Sequence, residues 1–257
     1  PSRRSQMPPI PQDAADIPVA AARIGGVCGV RDRTTEWKSR IRDGICVPGV
    51  VTGGRLGWNS GMAQIVIGTG SLTRAEVVAV ARHGVGVRLS ADALDALADS
   101  RARVDELASV AEGVYGVSTG FGALATRGIP ASERARLQTS LIRSHAAGNG
   151  PIVEDEVVRG LMLLRIATLA RGRSGVRPAT VEAYVALLNS GLVPVVHEYG
   201  SLGCSGDLAP LAHCALVLTG EGEVLDRGRR RPAADALRDH GLEPVQLAEK
   251  EGRPEEH

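Results

Sequence analysis

Residues Gly200–Gly222 read GSLGCSGDLAPLAHCALVLTGEG, a glycine-rich turn that runs into an apolar segment of helix length. If Ser205 were the nucleophile of a G-x-S-x-G elbow on a strand-turn-helix, the chain would be built like an α/β hydrolase. Position 207 is Asp, so the elbow lacks its last glycine. Asp207 instead suits the N-cap of a helix LAPLAHCALVLTG, with Pro210 tolerated in its first turn. A nucleophilic pair of Cys204 with His213 has nothing in the sequence to bring it together. His197, Cys204, His213 and Cys214 lack the spacing of a zinc site, and no metal is expected. A turn leading into a core helix is the plain alternative.

Helical signals also dominate the preceding sequence. Thr73 with Glu76 forms a capping box whose helix should stop by Gly84. Ser90 caps a longer helix with an apolar stripe of Leu94, Leu97, Val104, Leu107 and Val110, closed by Gly113. GVYGVSTGFG, Gly113–Gly122, reads as a mobile loop, and a helix from about Ser132 to Ala147 follows. Glu154, Asp155 and Glu156 favour a helix N-terminus, continued by Val157, Leu161, Leu164 and Leu169 to Arg171 and Gly172. Pro178 and Gly191 bracket another helix, VPVVHEYG is strand-like, and Pro232 and Gly241 frame a short last helix. No internal repeat and no alternating βαβ pattern is read, so the expected class is mainly α.

Composition narrows the function. The 257 residues carry 30 Lys and Arg against 29 Asp and Glu, a net charge of +1, so neither nucleic acid nor an anionic membrane is implied as main partner. A small molecule is the expected ligand. Four cysteines (Cys28, Cys46, Cys204 and Cys214) without a CxxC argue against a disulfide scaffold and for a reducing, cytoplasmic setting. The apolar run Ile17–Val30 is interrupted by Arg23 and is too short to span a bilayer, and no targeting segment is read. Residues 1–61, with Pro8, Pro9, Pro11, Pro18 and Pro48, are expected to form a poorly structured extension, with the native start at Met62. Gly120–Ala125 matches G-x-G-x-x-A, but Gly128 and Pro130 cut off the helix that a dinucleotide would need.

GSLGCSGDLAPLAHCA resembles the signature of the aromatic amino-acid ammonia-lyases, in particular their histidine-specific members. YGVSTGFG (Tyr115–Gly122), SHAAGNG (Ser144–Gly150) and GVRPATVEAYVALLNSGLVPVVHEYG resemble that family in the same order, and the resemblance runs from about Met62 to Gly252. It implies an ammonia-lyase-like N-terminal domain over 62–252 with part of a long-helix bundle, and a divergent tail at 253–257. It also implies that Cys204, Ser205 and Gly206 cyclise into 4-methylideneimidazol-5-one, with no external cofactor. In that cyclisation the Gly206 nitrogen attacks the Cys204 carbonyl and two waters are lost, one carrying the Ser205 hydroxyl. The Cys204 thiol is then a bystander.

By the same resemblance Tyr115 is the base for the substrate's β-proton. Ser144 and His145 select histidine, since an imidazole can hydrogen-bond a polar ring. Asp207 supports the cyclised group. The implied reaction converts L-histidine to urocanate and ammonia in a homotetramer. The alternatives are a catalytically incomplete fragment, or a lyase for phenylalanine or tyrosine. Ser118 departs from the family's usual asparagine, and Arg173 stands where histidine is common. After Lys250–Gly252 the sequence RPEEH replaces the family's continuation, which supplies further substrate-binding residues.

Overall fold

The computed structural model describes residues 64–110, 113–201 and 207–252. The expected extension with its boundary at 61, and the tail at 253–257, lie outside the described residues. The described residues open with β1 (Ile65–Ile67), α1 (Arg74–Ala81) and β2 (Val87–Leu89), continuing through α2 (Ala91–Ser109) and α3 (Ala131–His145). Next come β3 (Asn149–Ile152), α4 (Asp155–Leu169), α5 (Pro178–Ser190), β4 (Val193–Pro194) and β5 (His197–Tyr199). Then α6 (Leu208–Leu218), β6 (Glu223–Asp226), β7 (Arg229–Pro232) and α7 (Ala233–Asp239) complete a mainly α architecture.

Local signals place the helix starts. Thr73 Oγ1 accepts from Glu76 N while the Glu76 carboxylate takes the Thr73 N–H at 2.7 Å, a reciprocal capping box. Ser90 accepts from Ala93 N at the head of α2. Pro178 occupies the first turn of α5, and Gly191 closes that helix.

Three expectations are corrected. β1 and β2 pair in parallel across α1, so one βαβ unit is present, built on strands of three residues each that are too short to show a period. In α4 the buried face is Val158, Arg159, Met162, Leu163, Ile166 and Leu169, whereas Val157 and Leu164 of the expected stripe are 53% and 51% exposed. The helix is apolar on more than one side, so its packing partners α1 and α5 choose the face. In α2 the inner line is Ala93, Leu97 and Val104, while Leu107 and Val110 are exposed near its end. The hairpin β6–β7 was not anticipated; Arg227 and Gly228 turn it with φ of 50° and 77°, the geometry of a two-residue type I′ loop.

The core gathers Val80, Leu97, Met162, Leu163, Ile166, Leu187, Leu188 and Val217. One cation is buried within it. Arg159 is 9% exposed and donates from Nε and Nη2 to the Val80 carbonyl at 3.3 and 3.0 Å, and from Nη1 to the Leu188 carbonyl at 3.3 Å. Burial pulls its pKa down and the charge of Asp155 pulls it back up, with the net result below the usual arginine value.

The last described segment is tied down by a buried carboxylate. Glu251 accepts from Arg177 N and Nε, both at 3.0 Å, from Thr180 Oγ1 at 2.8 Å and from Ala248 N at 2.7 Å. The adjacent Gly252 N–H donates to Gln138 Oε1 at 2.8 Å. Desolvation pushes the Glu251 pKa up, but its donors outweigh that and hold it below the ordinary 4.5.

Two outcomes follow from these buried groups. Arg159→Met should lower stability by about 1–3 kcal/mol in urea titration, since hydrogen bonds to a charged donor are lost. The Val80 and Leu188 carbonyls keep their partners at Gly84 and Gly191, which limits the cost. Because the folded pKa of Glu251 lies below its unfolded value, its contribution is present above about pH 4.5 and is lost as pH falls through the folded value. Glu251→Gln should therefore be less stable than the parent by about 1–3 kcal/mol at pH 7, and the gap should narrow in acid.

Candidate active site

The signature helix begins where the sequence places it, but by a different means. Asp207 occupies the N-cap position of α6 without a side-chain capping bond. A cap reaches the N–H of the second or third helical residue, and the third here is Pro210, which has none. The Asp207 carboxylate instead receives the hydroxyl of Ser201. That bond holds together the two described residues flanking the stretch 202–206. Cys204, Ser205 and Gly206 themselves lie outside the described residues.

Beyond its cap, α6 is a core helix with Ala209, Leu211, Ala212, Cys214 and Val217 buried. Burial pushes the Cys214 thiol up to about 12, which makes it an inert packing group at neutral pH. The neighbouring His213 points elsewhere and is half-buried. Its Nε2 accepts the Gly148 N–H at 3.0 Å. Sequence reasoning weighed His213 as a base or a ligand and missed this role; the available signal was a lone polar residue in an apolar helix. Among the described residues no group of three or more His, Cys, Asp or Glu could hold a metal ion.

Ser144 and His145 end α3. Ser144 Oγ donates to the Leu141 carbonyl at 2.8 Å, and His145 Nδ1 lies 2.8 Å from the same oxygen. A carbonyl only accepts, so Nδ1 carries the proton and Nε2 of the neutral ring carries the lone pair. Past this pair, residues 146–148 turn into β3, which pairs antiparallel with β5 through Asn149 with Tyr199 and Ile152 with His197.

Two glycines let these motifs touch. A Cβ on Gly148 would stand 2.9 Å from His213 Nε2 and 3.3 Å from the Tyr199 carbonyl. One on Gly200, where φ is 145°, would meet Gly148 Cα and Ala209 Cβ at 3.0 Å each. SHAAGNG, the end of HEYG and the start of α6 therefore meet at one backbone crossing.

Tyr115 sits in a separate, compact turn. The Val114 carbonyl accepts from Val117, Ser118 and Thr119 N–H groups at 3.1, 2.9 and 3.2 Å, and Val117, Ser118 and Thr119 are buried. The expected loose loop is thus a tight turn. Ser118 Oγ accepts from Val114 N at 2.9 Å, so the serine at this position closes the turn on itself. Tyr115 is 42% exposed and packs edge-on against Phe121, with ring centroids 6.1 Å apart. Gly122–Leu124 form a single 3₁₀ turn, which leaves the G-x-G-x-x-A match without a phosphate-binding helix. Arg173 is exposed, and nothing in the structure explains its choice.

The pattern of the aromatic amino acid lyase family matches residues 72–253. The histidine ammonia-lyase of Streptomyces griseus is 59% identical over 192 residues, covering 74% of this chain and 37% of that protein. A probable histidine ammonia-lyase of Halobacterium salinarum is 50% identical over 188 residues, covering 73% and 36%. Among solved structures, tyrosine aminomutase from Streptomyces globisporus superimposes with a TM-score of 0.70 at 38% identity over 75% of this chain and 36% of that one. Histidine ammonia-lyase from Trypanosoma cruzi gives 0.69 at 35% identity over 75% and 37%. The chain spans a little over a third of the length of the curated relatives it matches. Its fold, its motif order and this match over most of its length agree: the chain belongs to the aromatic amino acid lyase family.

Proposed function

We propose that this chain carries the electrophile-forming part of a histidine ammonia-lyase, which eliminates ammonia from L-histidine to give urocanate. The observation that carries this reading is the crossing at Gly148, which brings the Ser144–His145 loop to Gly200 and to the helix that follows the tripeptide. The curated relatives named histidine ammonia-lyase support the substrate. The bond between Ser201 and Asp207, at the two ends of the tripeptide stretch, suits a segment whose backbone must close on itself.

A 4-methylideneimidazol-5-one made from Cys204, Ser205 and Gly206 would supply an electrophile for the substrate amine, making ammonia a better leaving group. The remaining work falls to side chains. His145, with its Nδ1 proton committed to Leu141, presents Nε2 as an acceptor for an N–H of the substrate imidazole. Ser144 braces that ring from the side, its Oγ 3.0 Å from Nδ1. Tyr115, on an exposed corner of a hydrogen-bonded turn, would take the β-proton on its deprotonated phenol oxygen as the Cα–N bond breaks and the double bond forms. α6 begins at Leu208, directly after the tripeptide and Asp207 in sequence, and a helix N-terminus favours negative charge near it. Assembly as a cytoplasmic homotetramer belongs to the same proposal.

A lyase acting on phenylalanine or tyrosine is the second reading, favoured by the likeness to the tyrosine aminomutase. Intact mass of the expressed chain should show a two-water deficit, and ultraviolet absorbance should rise as urocanate forms from L-histidine. A deficit without urocanate would mark a catalytically incomplete fragment; absence of both would remove the lyase reading for this chain. His145→Phe should abolish turnover of histidine and improve that of phenylalanine. Gly148→Ala places a methyl against His213 Nε2; overpacking should cost about 1–3 kcal/mol in urea titration and reduce urocanate formation without preventing the mass deficit.

A further inference from the structure

Where the chain enters β3, the backbone at 148–150 is bracketed by two imidazoles from different elements. His213 of α6 accepts the Gly148 N–H on Nε2 at 3.0 Å, so the proton of its neutral ring is on Nδ1. His197 of β5 lies 2.8 Å from the Gly150 carbonyl through Nδ1, which must therefore be the protonated nitrogen. The two rings stand edge-on with centroids 5.7 Å apart. One imidazole thus takes a backbone N–H and the other gives to a backbone carbonyl two residues later.

The site has no slack. A Cβ on Gly148 would already lie 2.9 Å from His213 Nε2, and the same residue abuts the Tyr199 carbonyl. Three residues before Gly148 is His145, anchored at Nδ1 by the last turn of α3. Movement of Gly148 is therefore movement of the chain that carries His145.

We propose that His213, held as the Nδ1–H tautomer, is a positioning residue that fixes the loop after His145 against the helix that follows the electrophile-forming tripeptide. This rests on the reading of His145 as the residue that meets the substrate ring. A protonated His213 cannot accept the Gly148 N–H, since both ring nitrogens then carry hydrogen. Burial first, and the facing His197 second, hold the His213 pKa below the ordinary 6.5 and keep the accepting form.

The other titratable groups nearby are committed. Glu223 of β6, which feels His197, is bonded to Arg230 of β7. Asp207 at the head of α6 holds Ser201, and His145 of α3 holds the Leu141 carbonyl. The sign of the pH effect follows. With the folded pKa below 6.5, the unfolded chain takes up the proton first, so this contribution to stability is present above about pH 6.5 and is lost as pH falls from there toward the folded value.

The test is nitrogen-15 NMR of the full labelled chain. His213 Nε2 should show the shift of an unprotonated ring nitrogen at pH 7.5, with a through-hydrogen-bond coupling to the Gly148 amide nitrogen that disappears in acid. His213→Gln, which keeps an acceptor at similar reach, should leave Gly148 amide exchange within about threefold of the parent, and His213→Phe should speed it about tenfold, the loss of one hydrogen bond. A protonated Nε2 at pH 7.5, or Gly148 exchange unchanged in His213→Phe, overturns the proposal. Where turnover is present, His213→Phe should raise KM about tenfold with a smaller change in kcat, and His213→Gln should restore it; a fall in kcat alone would also overturn it. The magnetic resonance readouts need no turnover, so a parent that makes no urocanate would remove the lyase reading and leave the His213 assignment to stand or fall by itself.

Discussion

The Arg159 guanidinium reaches out of α4 to the Val80 carbonyl, near the end of α1, and to the Leu188 carbonyl, near the end of α5. Carbonyls near helix C-termini carry the negative end of the backbone dipole, so a buried cation finds compensation there without a carboxylate partner in contact. That choice sets the rotation of α4. With Arg159 turned inward, Val158, Met162 and Ile166 follow it into the core and Val157 and Leu164 are left outside. The consequences run to the site, because α4 follows β3 directly and α5 leads through β4 into β5. Fixing α4 and α5 against each other fixes the two strands that deliver Gly148 and Gly200 to their crossing.

That crossing works by exclusion of side chains. Neither glycine is explained by its own turn alone. Gly148 is small because His213 Nε2 and the Tyr199 carbonyl leave no room for a methyl, and Gly200 because the Gly148 backbone and Ala209 do the same from the other side. Gly148 and its His213 partner lie 65 residues apart in the sequence. Shape is thus carried by close-packed backbone and one imidazole, which suits the proposed role of the chain that carries His145.

What could be read in the sequence was local. The box at Thr73 and Glu76, the Ser90 cap and the Pro178 start all depend on atoms a few residues apart, and they stand as expected. The α4 face was misjudged because a helix apolar on two sides has no periodic answer, and the deciding contacts come from α1 and α5. Strands of three residues paired across α1 leave no alternation to detect. The hairpin at Arg227 and Gly228 was hidden because an arginine with positive φ does not advertise a type I′ turn. Asp207 stands at the N-cap as expected, and Pro210, three residues on, has no N–H for its carboxylate to take. Of the candidate site residues, Ser144 and His145 come from the resemblance to the family. His213 was not, since its partner is a backbone N–H in another motif.

The three histidines around the loop are each oriented by a backbone group. His145 and His197 each hold the Nδ1 proton against a backbone carbonyl, and His213 is set by a backbone N–H on Nε2. None of these tautomers is set through a contact with a carboxylate. A carboxylate partner would stabilise imidazolium and turn the loop cationic near neutral pH. With Nδ1 of His145 committed to the Leu141 carbonyl its Nε2 is left to meet a ligand, whereas Nε2 of His213 is taken by the Gly148 N–H. On the proposed reading, an acceptor at Nε2 of His145 complements a substrate ring that has an N–H to give, and a phenylalanine ring has nothing to offer it.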